Sequence, residues 1–196
     1  MKNIFVVFIF LSSSLFSQNA DIKLLKSINL NRNPGNDNTF IFLSNTVGPA
    51  GILVPAGIIG AGYITHDSII KNKGLVVGAS LAVTLGLTAA LKYGISRSRP
   101  YVTYPELDNV VNEGTPSFPS GHTSMSFSTA TSLSIAFPKW YVIAPSYLWA
   151  GTVSYSRMHL GVHYPTDVLA GAITGAGTAY LCHKANQWLY KQHRKK

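Results

Sequence analysis

Three short stretches, far apart in the chain, hold most of its reactive side chains. They are Lys92-Tyr-Gly-Ile-Ser-Arg-Ser-Arg99-Pro100, then Pro119-Ser120-Gly121-His122, then Ser156-Arg157 followed by His163 and Asp167. Lys92, Arg99 and Arg157 are fixed cations able to surround a multiply charged oxyanion. His163 with Asp167 four residues on has the makings of a nucleophile with its orienting carboxylate, and His122 those of a proton donor. That set suits transfer of a phosphoryl group with no metal ion.

Each stretch carries a structural expectation. Lys92 and Arg99 are seven residues apart, about two helical turns, so a helix running through to Arg99 would point both the same way before Pro100 ends it. Arg97 then faces elsewhere and is the weaker candidate. Taken alone, this basic cluster equally suits contact with lipid headgroups. Gly121 lets backbone approach a ligand, the N–H groups of a helix start attract an anion, and the Ser120 hydroxyl adds a donor. Arg157 supplies a fork matched to phosphate oxygens. Pro165 fits the first turn of a helix, leaving His163 just before it and Asp167 just inside. His159 and His163 offer a metal-binding alternative, but no third soft ligand lies near, so no metal is expected.

These side chains imply a two-step displacement. Lys92, Arg99, Arg157, Ser120 and the Gly121 N–H surround the three non-bridging oxygens. His163 attacks in line and His122 protonates the leaving alcohol. Water activated by His122 then cleaves the phosphohistidine.

The elements that must position these residues are apolar. Of 196 residues only 12% are charged and 46% are hydrophobic, with a formal charge of +9. This composition excludes a disordered chain and fits one domain. Five charge-free runs, Val47–Thr65, Gly74–Leu91, Thr123–Pro138, Trp140–Ser156 and Val168–Cys182, approach the roughly twenty residues of a membrane span. Their Gly, Ala, Ser and Thr suit close helix packing in lipid. Residues 1–20, with Lys2 ahead of an apolar stretch, read as a secretory signal or N-terminal anchor. Residues 21–46 form a polar lead-in with a short interfacial helix over Ile22–Ile28 and a turn over Asn31–Asn38. Residues 47–185 form the helical domain and 186–196 a basic tail. Threading the five runs from outside leaves Lys71, Lys73, Lys139 and the tail in the cytoplasm, as the positive-inside rule expects. All three reactive stretches then fall on the outer, periplasmic side of a bacterial-type inner membrane. Tyr101, Tyr104 and Trp140 read as interfacial anchors, and the lone Cys182 as a buried small residue. No recognition motif for nucleic acid is present.

The three stretches match the signature of the type 2 phosphatidic acid phosphatase family in order. Its parts are Lys-six residues-Arg-Pro, Pro-Ser-Gly-His, and Ser-Arg-five residues-His-three residues-Asp, and the chain resembles that family over about Gly74 to Ala185. The resemblance implies an all-α helical bundle of the acid phosphatase/vanadium haloperoxidase type, with about five transmembrane helices. It also implies His163 as nucleophile, Asp167 as its partner, His122 as acid, and no cofactor. The expected substrate is a lipid phosphate in the bilayer: phosphatidic acid, phosphatidylglycerol phosphate, a polyprenyl diphosphate or a lipid A phosphate. The alternatives are a soluble periplasmic nonspecific acid phosphatase, a vanadium haloperoxidase, and a non-catalytic lipid-binding membrane protein.

Overall fold

The computed structural model describes residues 19–193. The signal or anchor expected over residues 1–20 lies outside this range except for its last two residues, as does the end of the basic tail. Helix α1 covers residues 19–29, and a single 3-10 turn at Pro34–Asn36 leads into α2 (Asp37–Asn45). The long helices are α3 (Val47–Ile64), α4 (Ser68–Ile95), α6 (Gly121–Ala136), α7 (Trp140–His159) and α8 (Pro165–His193), with a one-turn α5 (Pro100–Thr103) between α4 and α6. No strand occurs among the described residues, in keeping with the expected all-α bundle.

Local chemistry sets the boundaries. The Asp67 carboxylate accepts from the N–H groups of Ile69 and Ile70 at 2.7 and 3.1 Å and starts α4. At the other end Ser96 takes the left-handed conformation (φ 50°), and its N–H closes on the Lys92 carbonyl at 2.8 Å. The helix therefore stops at Ile95 and does not continue to Arg99 as the spacing suggested. Arg99 is extended (φ −73°, ψ 153°), the conformation favoured before a proline, and caps α5.

Helix α6 is central and packs against α8, α7, α4 and α3. Its contact with α8 is backbone to backbone. A Cβ on Gly175 would stand 2.0 Å from the Ser124 carbonyl oxygen, and one on Gly171 2.7 Å from that of Ser120. The interior is polar and the exterior greasy. Ser80, Thr84, Ser126, Ser128 and Thr178 are buried, while Ile52, Leu53, Leu85, Leu148, Leu169 and Ile173 are exposed. Thr84 Oγ1 lies 2.9 Å from Ser128 Oγ and 2.5 Å from Thr178 Oγ1, tying α4, α6 and α8 together. Small hydroxyl side chains inside and large apolar ones outside is the arrangement a bilayer favours. Among the described residues two stretches, Pro34–Ile64 and Ser68–Thr103, are long and apolar enough to cross a membrane. Neither measure establishes the expected count of five.

The lead-in is more ordered than a polar leader. The apolar side of α1 is buried in protein, Leu25 packing with Leu107 and Tyr164. Asn29 bonds Asp108 and the His159 carbonyl at 2.9–3.0 Å. The α1–α2 segment is thus built into the end of the bundle that carries the reactive side chains. Cys182 is half-buried on α8, less enclosed than the buried small residue expected.

Candidate active site

The end of α4, the start of α6, the end of α7 and the start of α8 converge at one end of the bundle, bringing the three reactive stretches together. A cavity of about 600 Å³ has Lys92, Arg99, Gly121, His122 and His163 among its lining residues. Its other limb runs between α3, α4 and α6 and is apolar, lined by Val47, Ile52, Leu81, Leu85 and Met125.

His163 precedes α8, held between two anchors. Its Nδ1 lies 3.5 Å from Asp167 Oδ2 and 3.4 Å from Ser117 Oγ, and its Nε2 3.3 Å from Arg99 Nη1. The acceptor at Nδ1 favours the tautomer with its proton there, leaving the Nε2 lone pair toward the cavity. Burial pushes the imidazole down to about 3 against the opposing pull of Asp167, so the ring is neutral. Asp167 is fully enclosed. Its Oδ2 accepts from Ser117 Oγ at 2.5 Å and Tyr164 N–H at 3.0 Å, and its Oδ1 from Arg97 Nη1 at 2.5 Å.

The cations are held differently from one another. Lys92 Nζ donates to the Pro116 carbonyl at 2.5 Å. Arg99 is 4% exposed and donates to the carbonyls of Thr115 at 2.8 Å and Val162 at 2.9 Å. Arg157 is 3% exposed, donates to Ser44 Oγ and to Glu113, and keeps its Nε without a partner. Ser120 is fully buried as the cap of α6. Its Oγ accepts from Thr123 Oγ1 at 3.1 Å, and it is not among the residues lining the cavity.

Four side chains were missed or set aside by sequence reasoning. Arg97, the weaker candidate there, turns behind the site to grip Asp167 and also Asp21 of α1 at 2.8 Å. Ser117 bonds Asp167 from the loop before α6. Glu113 joins Arg99 and Arg157. Tyr101, read as an interfacial anchor, directs its hydroxyl to the Glu113 carbonyl at 3.2 Å. The usable signal was scarcity. The chain has seven acidic residues, and every one except Asp67 lies at the site end. The metal alternative of His159 with His163 is not assembled: His159 Nε2 meets Asp37 at 2.8 Å, and no group of three potential ligands occurs among the described residues.

Comparison with known proteins agrees with this picture. Residues 73–191 match the model of the PAP2 superfamily. The chain is 30% identical over 173 residues to an undecaprenyl-diphosphatase from Sulfolobus acidocaldarius, covering 82% of this chain and 76% of that protein. It is 45% identical over 64 residues to a lipid A 4'-phosphatase from Bacteroides thetaiotaomicron, covering 33% of this chain but only 28% of that protein. Among solved structures it resembles LpxE of Aquifex aeolicus, with a TM-score of 0.73 and 27% identity, covering 84% of this chain and 95% of that one. It also resembles a transmembrane PAP2-type phosphatidylglycerolphosphate phosphatase from Bacillus subtilis, with a TM-score of 0.74 and 27% identity, covering 93% of this chain and 94% of that one. Fold and relatives together define a membrane protein of the phosphoric ester hydrolase class. The chain belongs to the PAP2 superfamily.

Proposed function

We propose that the protein is a multi-pass phosphatase of a bacterial inner membrane that hydrolyses a lipid phosphate monoester or diphosphate at the extracytoplasmic face. The observation that carries this is the two-part cavity: one part is apolar, lined by residues of α3, α4 and α6, and the other is lined by Lys92, Arg99, His122 and His163. A hydrocarbon chain matches the first and a phosphate the second. The names of the relatives, an undecaprenyl-diphosphatase, a lipid A 4'-phosphatase and a phosphatidylglycerolphosphate phosphatase, support the same substrate class.

In this mechanism Lys92, Arg99 and Arg157 face the non-bridging oxygens with the Gly121 N–H, and Ser120 fixes the helix start that presents that N–H. Charge on the oxygens is best met as the phosphoryl group flattens. The Nε2 lone pair of His163 attacks phosphorus and the P–O bond to the lipid breaks. His122 gives its proton to the leaving oxygen, then takes one from the water that cleaves the phosphohistidine. Asp167 stabilises the positive charge on His163 while the phosphoryl group is attached. α3, α4, α6, α7 and α8 are the five spans, and the exposed apolar side chains on these helices favour this over a soluble periplasmic enzyme.

A panel of phosphatidic acid, phosphatidylglycerol phosphate, undecaprenyl diphosphate and lipid A, offered to detergent-purified protein with EDTA present, tests the proposal. Chelator-resistant release of phosphate from at least one lipid is expected. Release from none, or loss of all activity on chelation, contradicts it.

A further inference from the structure

The two arginine forks assigned to phosphate already share an anion. Glu113 lies in the irregular loop between α5 and α6, with Oε1 on Arg157 Nη2 and Oε2 3.5 Å from Arg99 Nη2. Each carboxylate oxygen therefore engages one of the buried guanidiniums, in the manner of two oxygens of a phosphate. The backbone of Glu113 is pinned by the Tyr101 hydroxyl, 3.2 Å from its carbonyl and 3.5 Å from its N–H. The side chain is 24% exposed and borders two cavities. One is the two-part cavity. The other, about 350 Å³, lies beside Arg97, Tyr101, Val102 and Gly114. Glu113 lines both, so open space adjoins its carboxylate on the side of the second cavity as well as at the forks.

Resting on the phosphatase reading above, we propose that Glu113 is a specificity residue acting as a built-in competitor of phosphate: its carboxylate bridges Arg99 and Arg157, gives way to phosphate carried on a hydrocarbon chain, and returns to displace the free phosphate left after hydrolysis. The competition is unequal by design of the cavity. A lipid phosphate gains the apolar limb as well as the forks, whereas inorganic phosphate gains only the forks. Glu113 thus discriminates against free phosphate and hastens release of the product. It also neutralises two enclosed guanidiniums that would otherwise lack a counter-charge.

Removing such a competitor raises the fraction of protein ready to bind. In detergent-solubilised E113Q, the dissociation constant for inorganic phosphate, read from the phosphate-dependent rise in thermal midpoint, is expected to fall about tenfold or more. The midpoint without phosphate falls as well. Inhibition of lipid hydrolysis by added phosphate strengthens in parallel. E113D, too short to bridge both forks, shifts the same way by less and serves if E113Q does not fold. Unchanged or weaker phosphate binding in these variants overturns the proposal, because it would mean that Glu113 positions the forks for phosphate and does not compete with it. If wild type and variants all ignore phosphate and no lipid phosphate is cleaved, the phosphatase reading itself fails and this inference with it.

Discussion

Arg97 and Asp167 meet at 2.5 Å, Nη1 to Oδ1, on the carboxylate oxygen opposite the one nearer His163. The same guanidinium reaches Asp21 of α1 and lies 3.8 Å from the ring centre of Tyr164. Asp167 is therefore clamped from behind through Oδ1, while Oδ2, held by Ser117 and the Tyr164 N–H, is the oxygen that faces the imidazole. Arg97 touches neither the cavity's histidines nor the proposed substrate, so it is a positioning residue. Arg97→Ala is expected to lower kcat about tenfold, ~1.4 kcal/mol of transition-state stabilisation, with KM little changed. Asp21→Asn moves kcat the same way by less. A rise in KM with kcat preserved would show that Arg97 serves substrate binding instead.

Stability should track the ionisation of His163. Burial holds this ring at about 3 in the fold, below the ordinary histidine value of about 6.5 in the unfolded chain. Between those values the unfolded chain binds the proton and the folded chain does not. The stabilisation is thus complete above about pH 6.5 and is lost progressively as pH falls toward 3. The thermal midpoint in detergent is expected to drop between pH 7 and pH 4, and to drop less in His163→Gln. Parallel curves for the two proteins would contradict the burial of a neutral ring.

The α6–α8 seam makes a separate prediction. With the Ser124 carbonyl 2.0 Å from where a Cβ would stand, Gly175→Ala must push the helices apart. Overpacking of this kind costs about 1–3 kcal/mol. A lowered thermal midpoint is expected, whereas Gly177→Ala, inside α8 with no neighbour for its Cβ to meet, leaves it unchanged or raises it. Equal midpoints for the two variants would show that the seam is looser than described.

The sequence revealed the motif residues because their chemistry is local: a cap before α6, a proline opening α8, an Asp one turn beyond His163. It also revealed the all-helical class, since charge-free runs of that length have few other solutions. It misplaced the end of α4, where Ser96 adopts a left-handed conformation that is uncommon for a residue other than glycine. It could not disclose that α1 and α2 fold into the site, because Asp21, Asn29 and Ser44 act through partners 76 to 145 positions away. Glu113 and Ser117 were hidden for the same reason. Neither belongs to a motif, and each acquires its role only when the loop before α6 closes over α7 and α8.

The most direct test concerns the bond that His163 forms. Purified His122→Gln would be mixed with a radiolabelled phosphate ester whose leaving group needs no proton, in the presence of EDTA, and quenched in alkali. Covalent label is expected on the peptide carrying His163, accumulating because the second step lacks its base, and absent from His163→Ala. Turnover by the wild type with no label at His163 under any quench, or label at another residue, would contradict nucleophilic attack by this imidazole.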